Sequence, residues 1–477
     1  WLAFIETNLE GKRVLLERAV EVGREGLEHA EGSGCPVSTR HVFNALSNAL
    51  YWLSNMETKV SEKRHLLEEA LKYREKDINI SQQLSPFDYY MRSQSQNYRA
   101  LIEAELAKIE TDKEKKRKLL EKAVSSMENC LKLFAKEREF PLGWKIGSIG
   151  MYHYWFGGIL DQLYSLTKDK KILERAIEVY NGAVETYSKA ELPTRAAESH
   201  WQIAKIYDRI GDHPKAARSY ESAAEKYKLA AEKIPQLKEL YEAYSFYMQA
   251  WSEIQKARHS HAREQYDQSR EHYEKAANLH ESSKLWGYLA PNYSAWAQLE
   301  KAEDLSRREK TQEAIQTFQQ ALKLFNRTKG SIETEIKKIQ TADEREMATA
   351  LVKASDIRRK YCQARINLEQ AKILDRKGEH DLSSKTYGSA AETLGKIIEE
   401  TQSEASRKEL RPIICLCQAW QKMTLAEEKA SPELYLEASQ LFEQAKEHSL
   451  SKRTSLLALG NSSFCKALAA GTKFDIT

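Results

Sequence analysis

The sequence predicts an all-α protein built from successive helix pairs, and three observations lead to this prediction. The chain has 477 residues but only 9 prolines and 19 glycines, so residues that interrupt helices are scarce. Apolar residues recur with the helical period almost throughout, and no segment alternates apolar and polar residues as a strand would. A short phrase also recurs along the first part of the chain, which is typical of a repeat protein.

The recurring phrase is Leu-Leu-Glu-x-Ala or a close variant, and each copy follows a run rich in lysine and arginine. Successive copies are 51, 53 and 53 residues apart, at residues 15–19, 66–70, 119–123 and 172–176. A single hydrophobic core stops growing beyond about 250–300 residues, whereas stacked repeats keep burying apolar surface as the chain lengthens. We therefore expect each copy to begin the second helix of a pair.

Short segments that contain glycine, proline or serine predict where the helices end. We expect stops at residues 31–36, 141–143, 192–193, 211–214, 235, 330–331, 378–381, 431–432 and 471–473. Most helices between these stops would have about 15–25 residues, and one at residues 332–377 would have about 45.

The clearest helix pair lies at residues 197–227. Its first helix would carry Ala204 and Tyr207 on one face, and its second helix would carry Ala216 and Tyr220. The small residues allow the two helix axes to approach, and the tyrosines fill the groove beside them. A helix, a turn and a helix with small and aromatic residues at these spacings resemble the tetratricopeptide repeat family.

Weaker copies of this pattern extend the resemblance over essentially the whole chain. It implies a right-handed superhelix, or α-solenoid, of about nine to ten pairs. The small residues of the second helices are 40–69 residues apart, against about 34 in the family, so these units have longer helices. They are Ala19, Ala70, Ala123, Ala176, Ala216, Ser269, Ala314, Ser383 and Ala438. We divide the array into residues 1–192, with regular wide spacing, and residues 193–477, which continue it.

Composition limits the possible partners and location. The 74 basic and 70 acidic side chains give a net charge of +4, so the surface is mixed and RNA binding is only a weak alternative. Six cysteines form no recognisable disulfide framework, which favours a cytoplasmic protein. The most apolar span, residues 146–166, has no uninterrupted run of about 18 apolar residues, so we expect a buried helix and no membrane partner.

No catalytic motif is present, so we expect a protein that is not an enzyme and that needs neither cofactor nor metal. His259, His261, Glu264 and His272 are candidate metal ligands, but their spacing favours a solvated surface. Cys415 and Cys417 lie in an apolar helix, where buried packing is the better interpretation.

The candidate binding residues lie on the first helices of the two pairs that keep a glycine turn. Lys205, Asp208 and Arg209 precede Gly211 at the same offsets at which Lys372, Asp375 and Arg376 precede Gly378. The resemblance implies that these offsets face the concave groove, where a peptide or partner helix binds. The plainer alternative, which we favour, is a set of ion pairs within each helix, worth about 0.2–0.5 kcal/mol each.

Aromatic residues are the second kind of candidate. We expect Trp201 to lie on the groove face, with Trp251, Trp286 and Trp296 in later first helices, and most of them to be packed in the core. Some family members clamp a carboxylate with lysine and asparagine, but this chain has Trp201 and Gln202 at those positions. For the aromatic segment at residues 151–164 we expect packing, with a close helix crossing or a kink at Gly157.

We therefore predict a non-catalytic scaffold or sensor that binds a protein or peptide segment in the groove. The alternative is a regulatory arm that controls an enzyme or ATPase domain through contacts within the same protein. The chain begins at Trp1 and ends within an apparent helix, so we expect it to be part of a larger signalling protein.

Overall fold

The computed structural model describes residues 3, 6, 8–84, 88–137, 142–339, 342–401 and 404–476, and no strand occurs among them. The all-α prediction is confirmed. The helices are α1 (Leu9–Gly32), α2 (Pro36–Ser54), α3 (Val60–Leu84), α4 (Tyr89–Ile109), α5 (Lys113–Phe134), α6 (Leu142–Thr167), α7 (Lys170–Lys189), α8 (Pro193–Arg209), α9 (His213–Lys233), α10 (Lys238–Ala262), α11 (Tyr266–Ser282), α12 (Ala290–Arg307), α13 (Thr311–Ile336), α14 (Ala342–Arg376), α15 (His380–Glu400), α16 (Glu404–Lys429), α17 (Pro432–His448) and α18 (Lys452–Ile476). Short 3-10 helices at Pro235–Leu237 and Gly287–Leu289 precede α10 and α12.

The chain forms two compact units, Trp1–Lys238 and Glu239–Thr477. The described helices of the first unit pair as α2–α3, α4–α5, α6–α7 and α8–α9. Those of the second pair as α10–α11, α12–α13, α14–α15 and α16–α17. The division at residues 192 and 193, which concerns repeat spacing, stays a prediction. Among the described residues, no helix is both long enough and apolar enough to cross a bilayer.

The small residues of the second helices are buried as the repeat pattern predicts. In the eight pairs these positions have 0 % exposed surface, at Ala70, Ala123, Ala176, Ala216, Ser269, Ala314, Ser383 and Ala438. The prediction for Ala19 is wrong, because Ala19 is exposed. Helix α1 directs Leu16 and Val20 toward α2 instead, where they join the cores around Leu53 and Leu46.

Some turns within pairs share one geometry whether or not they contain glycine. Gly211, Glu264, Glu309 and Gly378 each have a positive φ, between 59° and 78°, and each lies one residue before the second helix's N-cap. In all four turns the next backbone N–H donates to the carbonyl five residues before it, at 2.9–3.0 Å. This shared turn geometry supports the predicted array of helix pairs, and two of these four turns carry glutamate instead of glycine.

Two predicted stops are wrong and one is partly outside the described residues. Residues 330–331 lie inside α13, and residues 471–473 lie inside α18. Gly330 is tolerated within α13 because Thr328 and Ile332 on either side are fully buried, so tertiary packing maintains the helix. The predicted helix at 332–377 is divided between α13 and α14. At the predicted stop 141–143, Pro141 lies outside the described residues and α6 begins at Leu142.

Candidate binding face on α6 and α8

Glycines position helix α6 closely against α7. A Cβ atom at Gly157 would lie 2.7 Å from the ring of Tyr180, and one at Gly150 would lie 2.7 Å from the ring of Tyr187. The absence of these two side chains therefore lets tyrosine rings of α7 lie directly on the α6 backbone. This contact confirms the close helix crossing predicted at Gly157.

The side of α6 that faces α8 carries Tyr154, Asp161 and Tyr164, all partly exposed. Helix α8 carries Gln202 and Arg209, which contact these residues, and beside them Trp201 and Lys205. We call these seven residues the α6–α8 face. Gln202 donates a hydrogen bond from Nε2 to the Tyr154 hydroxyl at 3.3 Å, so the two helices are joined by polar as well as apolar contacts.

Arg209 is the charged centre of the α6–α8 face. Its guanidinium forms a two-pronged contact with the Asp161 carboxylate, with one Nη1–Oδ2 distance of 3.3 Å, and lies 5.0 Å from the centroid of the Tyr164 ring. The side chains of Arg209 and Asp161 remain 37 % and 32 % exposed. This contact joins two first helices and is not the pairing within one helix that we favoured from the sequence.

Lys205 and Trp201 form the second part of the same face. The Lys205 ammonium lies 4.5 Å from the centroid of the Trp201 ring, a cation–π contact on the surface of α8. Lys205 is exposed, and Trp201 and Asp208 are half-buried. Two cations held against aromatic rings therefore lie four residues apart on one helix.

The equivalent residues of α14 have different neighbours. Lys372 contacts Glu369 within the same helix at 2.7 Å, as the ion-pair interpretation predicts. Arg376 contacts Glu309 at 3.6 Å, and Asp375 lies 3.3 Å from the His380 ring. Identical offsets in the sequence thus lead to two chemically different surfaces.

A network of charges buried in the second unit explains this difference. Arg365 of α14 contacts Glu303 of α12 at 2.8 Å and donates to Ser306 at 2.9 Å, while Ser306 donates to Glu369 at 2.6 Å. The Tyr361 hydroxyl also donates to Glu303 at 2.8 Å. These side chains occupy the contact between the first helices α12 and α14. Lys372 lies at the edge of this contact, where it pairs with Glu369.

The pKa shifts in this network have identifiable causes. Burial raises the pKa of Glu303, and the positive charge of Arg365 offsets only part of that effect. Burial lowers the pKa of Arg365, but Glu303, Tyr361 and Glu369 outweigh it, so the pKa is raised overall. The two residues therefore form a buried ionic contact in which the pairing outweighs the burial of Arg365 but only partly offsets that of Glu303.

The prediction of a solvated surface around His261 is wrong. His261 Nδ1 lies 2.9 Å from Glu300, a carboxylate with 1 % exposed surface, and its Nε2 lies 3.4 Å from Glu409 of α16. His272 is also half-buried and lies 2.7 Å from Glu253. Sequence spacing missed these contacts because each carboxylate belongs to a different helix from its histidine.

Other predicted residues are placed as follows. Trp251 and Trp296 are half-buried in first helices, whereas Trp286 is buried in the segment before α12 and not within a first helix as predicted. Cys417 has 0 % exposed surface and burial raises its pKa to about 12, while Cys415 is half-buried, so packing is confirmed.

One protein-family model matches a segment of the chain that includes most of the α6–α8 face. The family model described as soluble NSF attachment protein, SNAP, matches residues 164–235, which begin at Tyr164 and include α7, α8 and α9. No curated protein matches the chain.

Three similar solved structures align with the chain at low identity and with TM-scores below 0.5. The crystal structure of BtubC (BKLC) from P. vanneervenii has 16 % identity, a TM-score of 0.37, and coverage of 58 % of this chain and 92 % of that one. A Signal Transduction ATPase with Numerous Domains protein with a tetratricopeptide repeat sensor, from Pyrococcus horikoshii, has 14 % identity, a TM-score of 0.37, and coverage of 80 % and 50 %. Yeast Tom70 has 13 % identity, a TM-score of 0.27, and coverage of 94 % and 96 %.

Proposed function

We propose that this chain is a non-catalytic protein-binding module, and that the α6–α8 face binds a segment of its partner. The observation that carries the proposal is the two cation–aromatic contacts made by α8 cations, Lys205 with Trp201 of the same helix and Arg209 with Tyr164 of α6. Tyrosine, tryptophan and arginine are the residues that most often supply binding energy at protein interfaces. Holding them against one another reduces the side-chain entropy that binding must remove.

The chemistry of the α6–α8 face favours an acidic segment with a neighbouring apolar side chain. Lys205 and Arg209 would attract carboxylates, and the partly exposed Trp201 and Tyr164 rings would contact an apolar group beside them. Asp161 already neutralises Arg209, so a partner carboxylate would have to compete with it. The residues Lys372, Asp375 and Arg376 are weaker candidates, because Lys372 is paired with a fully buried carboxylate.

The test uses the two cation pairs as matched variants. A random peptide library is selected against the purified chain, and the affinity of the enriched peptides is measured by fluorescence polarisation. Lys205→Glu with Arg209→Glu is compared with Lys372→Glu and Arg376→Glu, which reverse two charges at the same offsets in the other unit. We expect at least about tenfold weaker binding for the first variant only.

Asp161→Asn adds an independent prediction. Removing this carboxylate frees Arg209, so acidic peptides should bind more tightly while neutral peptides should not. Circular dichroism checks that each variant is folded. Binding that responds to neither α8 charge reversal nor Asp161→Asn would refute the assignment to the α6–α8 face.

The same module would also suit a regulatory role inside a larger cytoplasmic signalling protein. In that case the ligand of the α6–α8 face would be another segment of the same protein, and an enzyme or ATPase domain would respond to its release. This alternative predicts that a covalently linked acidic segment protects Trp201 from fluorescence quenchers in the wild type but not in Lys205→Glu with Arg209→Glu. RNA binding would instead show a steep dependence on salt across many sequences.

A further inference from the structure

A histidine and two carboxylates from three helices meet near the end of the α14–α15 pair. They are Asp375 of α14, His380 at the start of α15 and Glu427 of α16. One potential ligand atom from each lies within 4.8 Å of the others. The side chains are 27 %, 28 % and 30 % exposed, so they are partly shielded but accessible to ions and water.

Hydrogen bonding within the protein accounts poorly for this arrangement. Both carboxylates lie 3.3 Å from the same ring atom, His380 Nδ1. That nitrogen carries one proton at most, and charge-assisted hydrogen bonds are usually about 2.7–2.9 Å long. Among the described residues, neither carboxylate forms an ion pair with a lysine or an arginine, and both contact His380. Two carboxylates therefore share one ring nitrogen, each at a distance that is long for a charge-assisted hydrogen bond.

The two distances from His380 Nδ1 instead match the separation between ligands of a tetrahedral metal ion. With metal–ligand bonds of about 2.0–2.1 Å, two ligand atoms of a tetrahedral zinc site are about 3.3–3.4 Å apart. The two measured distances from Nδ1 fall at this value. An octahedral magnesium site would bring its ligands closer, to about 2.9–3.0 Å, and magnesium prefers oxygen donors.

The surrounding charges also favour a cation. Asp375 is next to last in α14 and Glu427 lies in the last turn of α16, so the negative ends of two helix dipoles converge here against the single N-terminus of α15. Two cations of the same helix as Asp375 have other partners, since Lys372 contacts Glu369 and Arg376 contacts Glu309.

We propose that Asp375, His380 and Glu427 bind a divalent transition-metal ion of the zinc type, with water completing a tetrahedral site. The ion would connect the α14–α15 pair to the first helix of the next pair, α16. It would thereby stabilise the stacking of two repeats in the second unit. This proposal departs from the sequence-based expectation of no metal, and it does not depend on binding at the α6–α8 face.

The experiment measures Zn²⁺ binding to the purified metal-free chain by isothermal titration calorimetry. We expect one site in the wild type, weakened at least about 100-fold by His380→Ala and by Glu427→Gln. His272→Ala is the matched control, because it removes a histidine whose contact is with a single carboxylate, Glu253. This control should leave the affinity unchanged, and excess Mg²⁺ should compete weakly.

Co²⁺ provides a second measurement that does not rely on variants being folded. Bound to the wild type, it should give the intense visible absorption of a tetrahedral site without a thiolate charge-transfer band, which separates this site from the six cysteines. Zn²⁺ should also raise the melting temperature of the wild type but not of Glu427→Gln. The proposal is overturned if the wild type binds no Zn²⁺, if His380→Ala binds it equally well, or if Co²⁺ shows thiolate or octahedral spectra.

Discussion

The hydroxyl of Ser383 donates a hydrogen bond of 2.9 Å to the backbone carbonyl of Ala371, joining the second helix α15 to the first helix α14. Ser269 makes the equivalent contact of 3.0 Å to the carbonyl of Ala257, between α11 and α10. In both pairs the serine occupies the small position of the second helix and is fully buried. Serine thus replaces alanine without leaving a buried hydroxyl unpaired.

Ser383→Ala should therefore lower the free energy of unfolding modestly. We expect a loss of about 0.5–1.5 kcal/mol, since one buried hydrogen bond disappears while close helix packing is retained. Urea unfolding measures the change. Thr386→Ala is the control on the same helix, because its exposed hydroxyl bonds only to the carbonyl of Leu382. A larger effect at Thr386 than at Ser383 would contradict this explanation.

Ala216→Leu tests the close approach of α8 and α9. The larger side chain has no space at this fully buried position, and overpacking should cost about 1–3 kcal/mol of the unfolding free energy. Ala19→Leu is the matched control, because the sequence predicts Ala19 to be the same kind of small contact in a second helix, but Ala19 is exposed. We expect a change within about 0.5 kcal/mol there. Equal melting temperatures for the two variants would exclude the packing argument.

The turn residues allow a prediction of increased stability. Glu309 has a φ of 60°, a conformation that is costly for residues with a side chain, so Glu309→Gly should stabilise the protein by about 0.5–1 kcal/mol. Its ion pair with Arg376 is too exposed to offset this gain. The reverse change, Gly378→Ala at a φ of 78°, should destabilise it. Thermal unfolding should give a higher melting temperature for Glu309→Gly than for the wild type, and a lower one for Gly378→Ala. Shifts in the opposite directions would refute this explanation.

Two adjacent glycines of α6 should respond differently to the same substitution. Gly157→Ala places a methyl group 2.7 Å from the Tyr180 ring and should cost about 1–3 kcal/mol of unfolding free energy. At Gly158 the nearest atom is the Tyr180 hydroxyl at 3.6 Å, so Gly158→Ala should be neutral or stabilising by up to about 1 kcal/mol. Similar losses in both variants would show that helix propensity, and not the tyrosine contact, determines the result.

His261 should make a stabilising contribution that depends on pH. Burial lowers its pKa, but Glu300 and Glu409 outweigh that effect and raise the pKa well above 6.5. The contribution is then fully present below the unfolded pKa of about 6.5 and is lost as the pH rises through the folded pKa. Burial raises the pKa of Glu409, but His261 and Arg358 lower it to about 2, so its contribution is lost only as the pH falls toward that value.

Accordingly, His261→Gln should lower the free energy of unfolding more at pH 6 than at pH 9. Denaturant unfolding at both pH values gives the difference. The same substitution in a Glu300→Gln background should show a smaller pH dependence, because the main negative partner is gone. A cost of His261→Gln that is constant with pH would mean that the histidine contributes through packing alone.

The sequence predicts local structure well because local structure follows from periodicity. The spacing of small residues locates the second helices, and eight of the nine predicted small positions are fully buried. Where the sequence-based prediction of turns and helix ends is wrong, tertiary contacts override the local pattern. Glu264 and Glu309 occupy turns without glycine, and Gly330 continues a helix that its residue type would interrupt.

The candidate sites are less predictable than the fold. The sequence identifies Lys205 and Arg209 as charges of interest, but not that Arg209 contacts Asp161 and Tyr164 of another first helix. It likewise selects Asp375 without relating it to His380 or Glu427. Contacts between helices of successive pairs depend on how the pairs stack, and repeat spacing alone does not specify that stacking.

The sequence by itself therefore determines the all-α class, the helix pairs and the small residues at which their axes approach, because these follow from the helical period and from residue size. Only the tertiary structure decides which charges are paired, buried or available to a partner. Lys205 and Lys372 have identical offsets before a glycine turn, yet one lies on an exposed tryptophan-containing surface and the other against a buried carboxylate. The reason is physical: the free energy of a charge depends on its solvation and on neighbours that are distant in the chain.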